Sequence, residues 1–348
     1  MSRKNGERKT LSDDHHTSTT SVDIPGNITQ ENAVTHALFP RLTDEHKIEK
    51  IRLIYVMRNT ERIDRIFGAD WLDTEYTNGK FQPTDQNIPS SLKKIMRHTT
   101  FEFDPPITTL GKYTAQLVGR AMAFRSAAPH QIVCAPALRC VQTACALATT
   151  LGAKVGVEYG LAEPGSWFKD SDGASLAPDF LSPDRLEKLG FPIDVKYVPI
   201  ITAARLSSLN KKETEEASKN RIDFTIKYLG TRDRDGPLLI VGHALTMSIV
   251  CDMTVPPVEH EDWKDNLSTS HAVSPVNRLS EHVPEKVDTL ELGLRFPYGS
   301  VIALARSEGA MPYRYRLCRN IIPPLTLGRY FSSKPCTEKK IMPLNFEI

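Results

Sequence analysis

Three arginines and a histidine stand just beyond short apolar runs of this chain. Arg58 and Arg62 lie in MRNTER, after RLIYV; Arg139 lies in APALRCVQTA, after QIVC; His243 lies in GHAL, after LLIV. A guanidinium is a planar fork of donors that matches the oxygens of a phosphate, and an imidazole can add one more donor. Alone, each piece says little. An arginine at a strand end is commonly a surface ion-pair partner, and a histidine after a glycine is commonly structural. If the three runs are strands of one sheet, their carboxyl ends are where ligands sit, and the four side chains converge on a phosphate dianion. The three pieces together, each after an apolar run, carry that expectation.

The elements that must position these residues can be read in outline. RLIYVM, residues 52–57, is a short β-branched and aromatic run and predicts a buried strand. From Gly111 to Phe124 the pattern is helical, with Leu117, Ala121 and Phe124 at helical spacing and Thr108 or Thr109 as cap. QIVCA predicts a second strand, followed by a helix from about Cys140 to Leu151 that Gly152 can end. Residues 155–158 predict a third strand, and residues 213–229 a long helix with Ile222, Ile226 and Leu229 on one face and Gly230 just past its end. PLLIVGHALTMSIVCDM reads as strand, tight turn and helix; SVIALA is a further strand, with YRYRL antiparallel beside it. Short apolar strands alternating with helices predict a three-layer α/β/α sandwich whose mostly parallel sheet is covered on both faces. Residues 167–209 and 255–290 lack clean periodicity and read as insertions forming a rim.

The same segments resemble the histidine phosphatase superfamily. Its signature after the first strand is Arg-His-Gly-Glu-Arg; this chain has Arg58-Asn59-Thr60-Glu61-Arg62. IDRIFGADWL, PPITTLGKYTAQLVGRAM, CAPALRCVQTA and VGHALTMS are similar to the Sts/UBASH branch, the tyrosine-phosphatase-like domains that follow ubiquitin-associated and SH3 domains. The resemblance runs over roughly residues 51–317 and implies a phosphoglycerate mutase-like fold. It implies that Arg58, Arg62 and Arg139 bind phosphate and that His243 is the second histidine, donating to it. Glu163, in GLAEPGSW, falls where the family's proton donor to the leaving group lies, with Glu158 the other nearby carboxylate. A homodimer is implied in the same way.

The departure is at the nucleophile. The family needs an imidazole nitrogen that attacks phosphorus and forms a phosphohistidine, splitting one hard step into two easier ones. Asn59 stands in that position, and its amide nitrogen, conjugated with its carbonyl, has no lone pair to offer. Loss of a covalent nucleophile costs an enzyme on the order of 10⁶ in kcat, whereas binding can survive on the remaining charges. Thr60 replaces a glycine, and its side chain either crowds the turn or points its hydroxyl at the phosphate. The expectation is therefore a pseudophosphatase, a signalling-type domain that grips a phosphate ester or a phosphorylated protein with little or no turnover. The alternative is an active phosphomonoesterase or tyrosine-phosphatase-like enzyme with a non-standard nucleophile or direct attack by water. A mutase of the phosphoglycerate type would need the same missing histidine.

Composition bounds the rest. The 348 residues divide into a polar arm (1–47, read as disordered), a phosphatase-like domain (48–320) and a Pro-rich tail (321–348). The arm is too short and polar for a ubiquitin-associated or SH3 domain and has no apolar signal segment. A net charge of +2 gives no bulk case for nucleic-acid or membrane partners. Six cysteines without a CxxC pair read as reduced thiols, and no metal or other cofactor is called for; His15 and His16 read as a solvated pair. A cytoplasmic location is the expectation, with the nucleus equally open.

Overall fold

The computed structural model describes residues 52–68, 70–77, 80–95, 101, 103–168, 179–210, 212–254, 287–307, 313–318, 321–327 and 331–337. The polar arm, His46, His98 and residues 255–286 of the second insertion lie outside them. All the described residues fall in one compact unit, Pro40–Ile348.

The centre is a six-stranded sheet. Its strands are β1 (Leu53–Arg58), β2 (Gln131–Cys134), β3 (Val155–Val157), β4 (Leu238–Gly242), β5 (Val301–Arg306) and β6 (Tyr315–Cys318), in spatial order β3-β2-β4-β1-β5-β6. Pairing is parallel from β3 through β1, with Ile54 opposite Leu238 and Ile132 opposite Leu239. It turns antiparallel at β5 and β6, where Val56 faces Ile302 and Leu304 faces Leu317. Residues 53–57 and all of β4 are buried, as strands covered on both faces must be. This is the mixed, mostly parallel sheet with flanking helices that the pattern predicts.

Five helices matter to the site: α1 (Thr109–Phe124), α2 (Leu138–Leu151), α3 (Glu215–Thr231), α4 (Ala244–Met253) and α5 (Thr289–Arg295). Thr108 caps α1 by accepting the Gly111 N–H, and Gly152 closes α2 in the left-handed region at φ 64°. The α3 helix begins two residues later than the reading, because Thr214 is its cap and accepts the Ala217 N–H, and it runs on through Gly230 to Thr231. Ile222, Ile226 and Leu229 are buried on it as read. In α1, by contrast, the buried face is Gly111, Ala115, Val118 and Met122, while Leu117 and Phe124 face solvent.

The first irregular stretch contains two short helices, residues 183–188 and 203–210. The first starts from the Ser182 cap with proline in its first turn; neither is long enough to show a period. Glu215, in the first turn of α3, accepts from the Trp167 indole at 3.0 Å and from the Val287 N–H at 2.9 Å. In the tail, residues 326–327 pair with 331–332, and the Cys336 N–H donates to Arg295 O at 2.7 Å, so this part of the tail lies against the end of α5.

Candidate active site

The tip of β1 is fixed from both sides. The Asn59 N–H donates to Gly242 O at 2.8 Å and its carbonyl accepts from the Gly299 N–H at 3.3 Å, so position 59 is held between the end of β4 and the approach to β5. The Asn59 side chain is 3% exposed and donates Nδ2 to Thr60 O at 2.9 Å. Thr60 neither crowds the turn nor aims at a ligand. Its N–H and its hydroxyl both meet Thr143 Oγ1 at 3.0 Å, and Thr143 donates its own proton to Arg139 O at 2.7 Å. With that proton spoken for, the Thr60 hydroxyl is the donor of the pair. Glu61 is a structural tie as well, accepting from the Thr108 hydroxyl at 2.7 Å and from Asn87 Nδ2 at 3.2 Å. The start of α1 comes so close that a Cβ on Gly111 would stand 2.7 Å from Glu61 O, which requires glycine there.

Arg139, in the first turn of α2, is 1% exposed. Its Nη2 donates to Glu163 Oε2 and its Nη1 lies 3.5 Å from Asp104 Oδ1, yet Nε and Nη1 have no hydrogen-bond acceptor. Arg62 forks onto Asp64, with Nε to Oδ1 at 2.9 Å and Nη2 to Oδ2 at 2.7 Å. Arg58 donates Nη1 to Gly293 O at 3.1 Å and to Phe296 O, and its guanidinium lies 4.0 Å from the centre of the Tyr298 ring. His243 caps the start of α4 and is 2% exposed; its Nδ1 stands 3.5 Å from Glu163 Oε1.

The electrostatics tie these groups into one locus. Burial pushes His243 down to about 3, and repulsion by Arg139, Arg62 and Arg58 adds to this while Glu163 opposes it. The imidazole is therefore neutral at pH 7. Burial opposes the charge of Glu163, but His243 and Arg139, with Arg62 behind them, hold its carboxyl at about 2. His243 acts on it only when protonated, so near neutrality the arginines keep Glu163 ionised. Asp104 is driven the other way: burial raises it to about 6, against the pull of Arg139 and of the Leu138 N–H that it accepts at 2.7 Å. The Cys140 thiol lies 3.6 Å and 3.7 Å from the two His243 ring nitrogens, but burial lifts it far out of the range of a thiolate nucleophile.

Thus the structure brings Arg58, Asn59, Arg62, Arg139, Glu163 and His243 to one end of the sheet. It excludes the other carboxylate candidate. Glu158 is fully buried, and its two oxygens accept from the Gly160, Ile200 and Ile201 N–H groups and from the Tyr197 hydroxyl, all within 3.0 Å, so nothing is left to serve a leaving group. Three members of the site escape the sequence. Asp64 had a visible signal, a carboxylate two residues after Arg62. Asp104 and Tyr298 had none, because only the fold brings them to Arg139 and Arg58. Among the described residues no cluster of ligating side chains could hold a metal ion.

The profile of the histidine phosphatase superfamily (branch 1) matches residues 93–173, a span that holds Arg139 and Glu163. An ecdysteroid-phosphate phosphatase of Drosophila melanogaster is 30% identical over 218 residues, 61% of this chain and 28% of that protein. The human ubiquitin-associated and SH3 domain-containing protein A is 32% identical over 220 residues, 60% of this chain and 32% of that protein. The chain thus spans about a third of the length of the curated relatives it matches. Among solved structures, the ecdysone phosphate phosphatase of Bombyx mori in complex with tungstate aligns with a TM-score of 0.55 at 23% identity, over 80% of this chain and 98% of that one, a likeness of fold.

Proposed function

We propose, from the premise that this chain carries a histidine phosphatase superfamily domain, that the domain holds the phosphate group of an ester or a phosphorylated protein with little or no turnover. The observation that carries the reading is Arg139: a buried cation with two donor nitrogens lacking acceptors, whose charge acts on the same imidazole as those of Arg58 and Arg62. Buried donors left unmatched are costly, and a phosphate oxygen would satisfy them. In this reading Arg58, Arg62 and Arg139 hold the dianion and His243 donates one further hydrogen bond. The domain spans residues 48–320, between the arm 1–47 and the tail 321–348.

The chemistry of turnover is missing two parts. Asn59 offers no attacking nitrogen, and Glu163, held as a carboxylate by Arg139, carries no proton for a leaving group near neutrality. Two relatives are named for ecdysteroid or ecdysone phosphates, which makes a phosphate monoester the ligand class to test first. Peptide phosphotyrosine, nucleotides and small esters are compared with it.

The test is calorimetric titration of the full chain with phosphate and tungstate beside an aryl phosphate hydrolysis assay. Saturable oxyanion binding that weakens with Arg58→Ala and Arg139→Ala, with no hydrolysis above background, is the expected result. A kcat that disappears with Arg139→Ala would overturn it. One observation favours a second reading, an active phosphatase: the neutral His243 keeps a ring lone pair. In that case the hydrolysis would also be lost in His243→Gln.

A further inference from the structure

A cleft of about 250 Å³ opens along the flank of α2, and none of Arg58, Arg62, Arg139, Glu163 or His243 lines it. Three segments wall it, and each is held by backbone bonds. At the start of α1, the Ile107 N–H donates to Gln142 Oε1 at 2.8 Å and the Thr108 N–H to Glu61 O at 3.0 Å. Beyond the short helix 183–188, the Gly190 N–H donates to Glu187 O at 2.8 Å and the Phe191 N–H to Leu186 O at 3.1 Å. Pro192 O then accepts the Val155 N–H at 2.9 Å, which ties that wall to the sheet edge at β3. The third wall is the 3₁₀ turn 90–94, closed by the Ile95 N–H on Leu92 O at 2.9 Å. Walls fixed in this way keep the cleft open without a ligand, so binding there carries little ordering cost.

The lining is divided by chemistry. Ile95, Ile107, Cys145 and Ala146 are buried and apolar, and Phe191 and Pro192 lie half-buried beside them. Lys94 and Lys112 line the same cleft and are exposed, so their ammonium groups reach the mouth. Neither makes an ion pair among the described residues, and no aspartate or glutamate lines the cleft. The Cys145 thiol is pushed up by burial and carries no charge. Two cations over an apolar floor, with no counter-charge, select an anion that has an apolar body. The volume lies just under the usual range for small-molecule sites, which suits a body of about one ring.

We propose that this cleft is a second ligand site, for a small carboxylic acid with an aromatic or branched apolar body. The body lies against Ile95, Ile107 and Phe191, and the carboxylate meets Lys94 and Lys112. The site is separate from the phosphate cup, and its occupancy does not depend on the reading of that cup.

The test titrates the full chain with cinnamate, with cinnamyl alcohol as the neutral probe of the same body and cinnamylamine as the cationic one. Methyl NMR of Ile95 and Ile107 reads the site. Cinnamate is expected to shift both methyls saturably, with a dissociation constant of about a millimolar or tighter for a ligand of that size. The alcohol should bind about tenfold more weakly, and the amine should not bind. Lys94→Glu with Lys112→Glu should reverse that order. Thr149→Trp, an exposed position on α2 that lines the cleft, should fill it and abolish the shifts. These variants change exposed side chains and keep the core. Absence of saturation, or equal binding of acid and alcohol, would overturn the proposal. So would cinnamate binding that Arg139→Ala removes and Thr149→Trp leaves intact, since that would place the acid in the phosphate cup.

Discussion

The carboxylate of Glu163 lies on the guanidinium of Arg139, occupying Nη2 while Nε and Nη1 go without acceptors. An incoming oxyanion and this carboxylate therefore draw on the same cation.

That competition gives the first expectation. Glu163→Gln keeps the shape and removes the charge, so phosphate and tungstate should bind more tightly, by about tenfold, the equivalent of one charged hydrogen bond no longer contested. Calorimetry measures it. Unchanged or weaker binding would show that Glu163 does not oppose the anion.

The second concerns position 59. Asn59→His alone should bring aryl phosphate hydrolysis above background, by a factor of about a hundred or more, since it restores the attacking nitrogen in a fixed backbone frame. Adding Thr60→Gly should work against it. The glycine would keep the backbone N–H bond to Thr143 but lose the hydroxyl contact and leave a buried gap, costing about 1–3 kcal/mol in denaturant unfolding.

Stability against pH is the third. His243 titrates at about 3 when folded and near its ordinary 6.5 when unfolded. Between those values the unfolded chain takes up a proton that the folded one refuses, so stability is full above 6.5 and erodes as pH falls toward 3. Asp104, at about 6 folded against an ordinary 3.8, has the opposite slope: its contribution falls as pH rises through that window. His243→Gln should therefore flatten the loss of stability between pH 6.5 and 4, and Asp104→Asn should steepen it. Glu163 enters only below its ordinary 4.5. Urea midpoints at stepped pH values read all three.

Glu158 supplies a contrast. Three of its four bonds join the end of β3 to the loop of residues 197–201, and the fourth is from the Gly160 N–H. Glu158→Gln puts an amide donor against at least one backbone N–H in either orientation and should cost about 2–4 kcal/mol of stability while leaving oxyanion affinity unchanged. A selective loss of affinity with no loss of stability would return Glu158 to the site.

The sheet was readable because buried parallel strands leave short apolar runs, and the site because its cations sit directly after those runs. Boundaries drifted at both ends of α3, where Thr214 rather than an earlier residue caps the start and the helix runs on through Gly230. The buried face of α1 was not legible: Leu117 and Phe124 recur at helical spacing but look outward, and spacing alone does not say which side of a helix is covered. The roles of Asp104, Tyr298 and Thr60 depend on contacts across 35, 240 and 83 positions of chain, to Arg139, Arg58 and Thr143, and no local pattern encodes them.

The backbone at position 59 is clasped by Gly242 and Gly299 through its own amide and carbonyl, so the frame is blind to what side chain hangs there. Histidine and asparagine codons differ by a single base. A single-base change at this position therefore exchanges an amide for an imidazole while the backbone bonds to Gly242 and Gly299 stay available to either side chain.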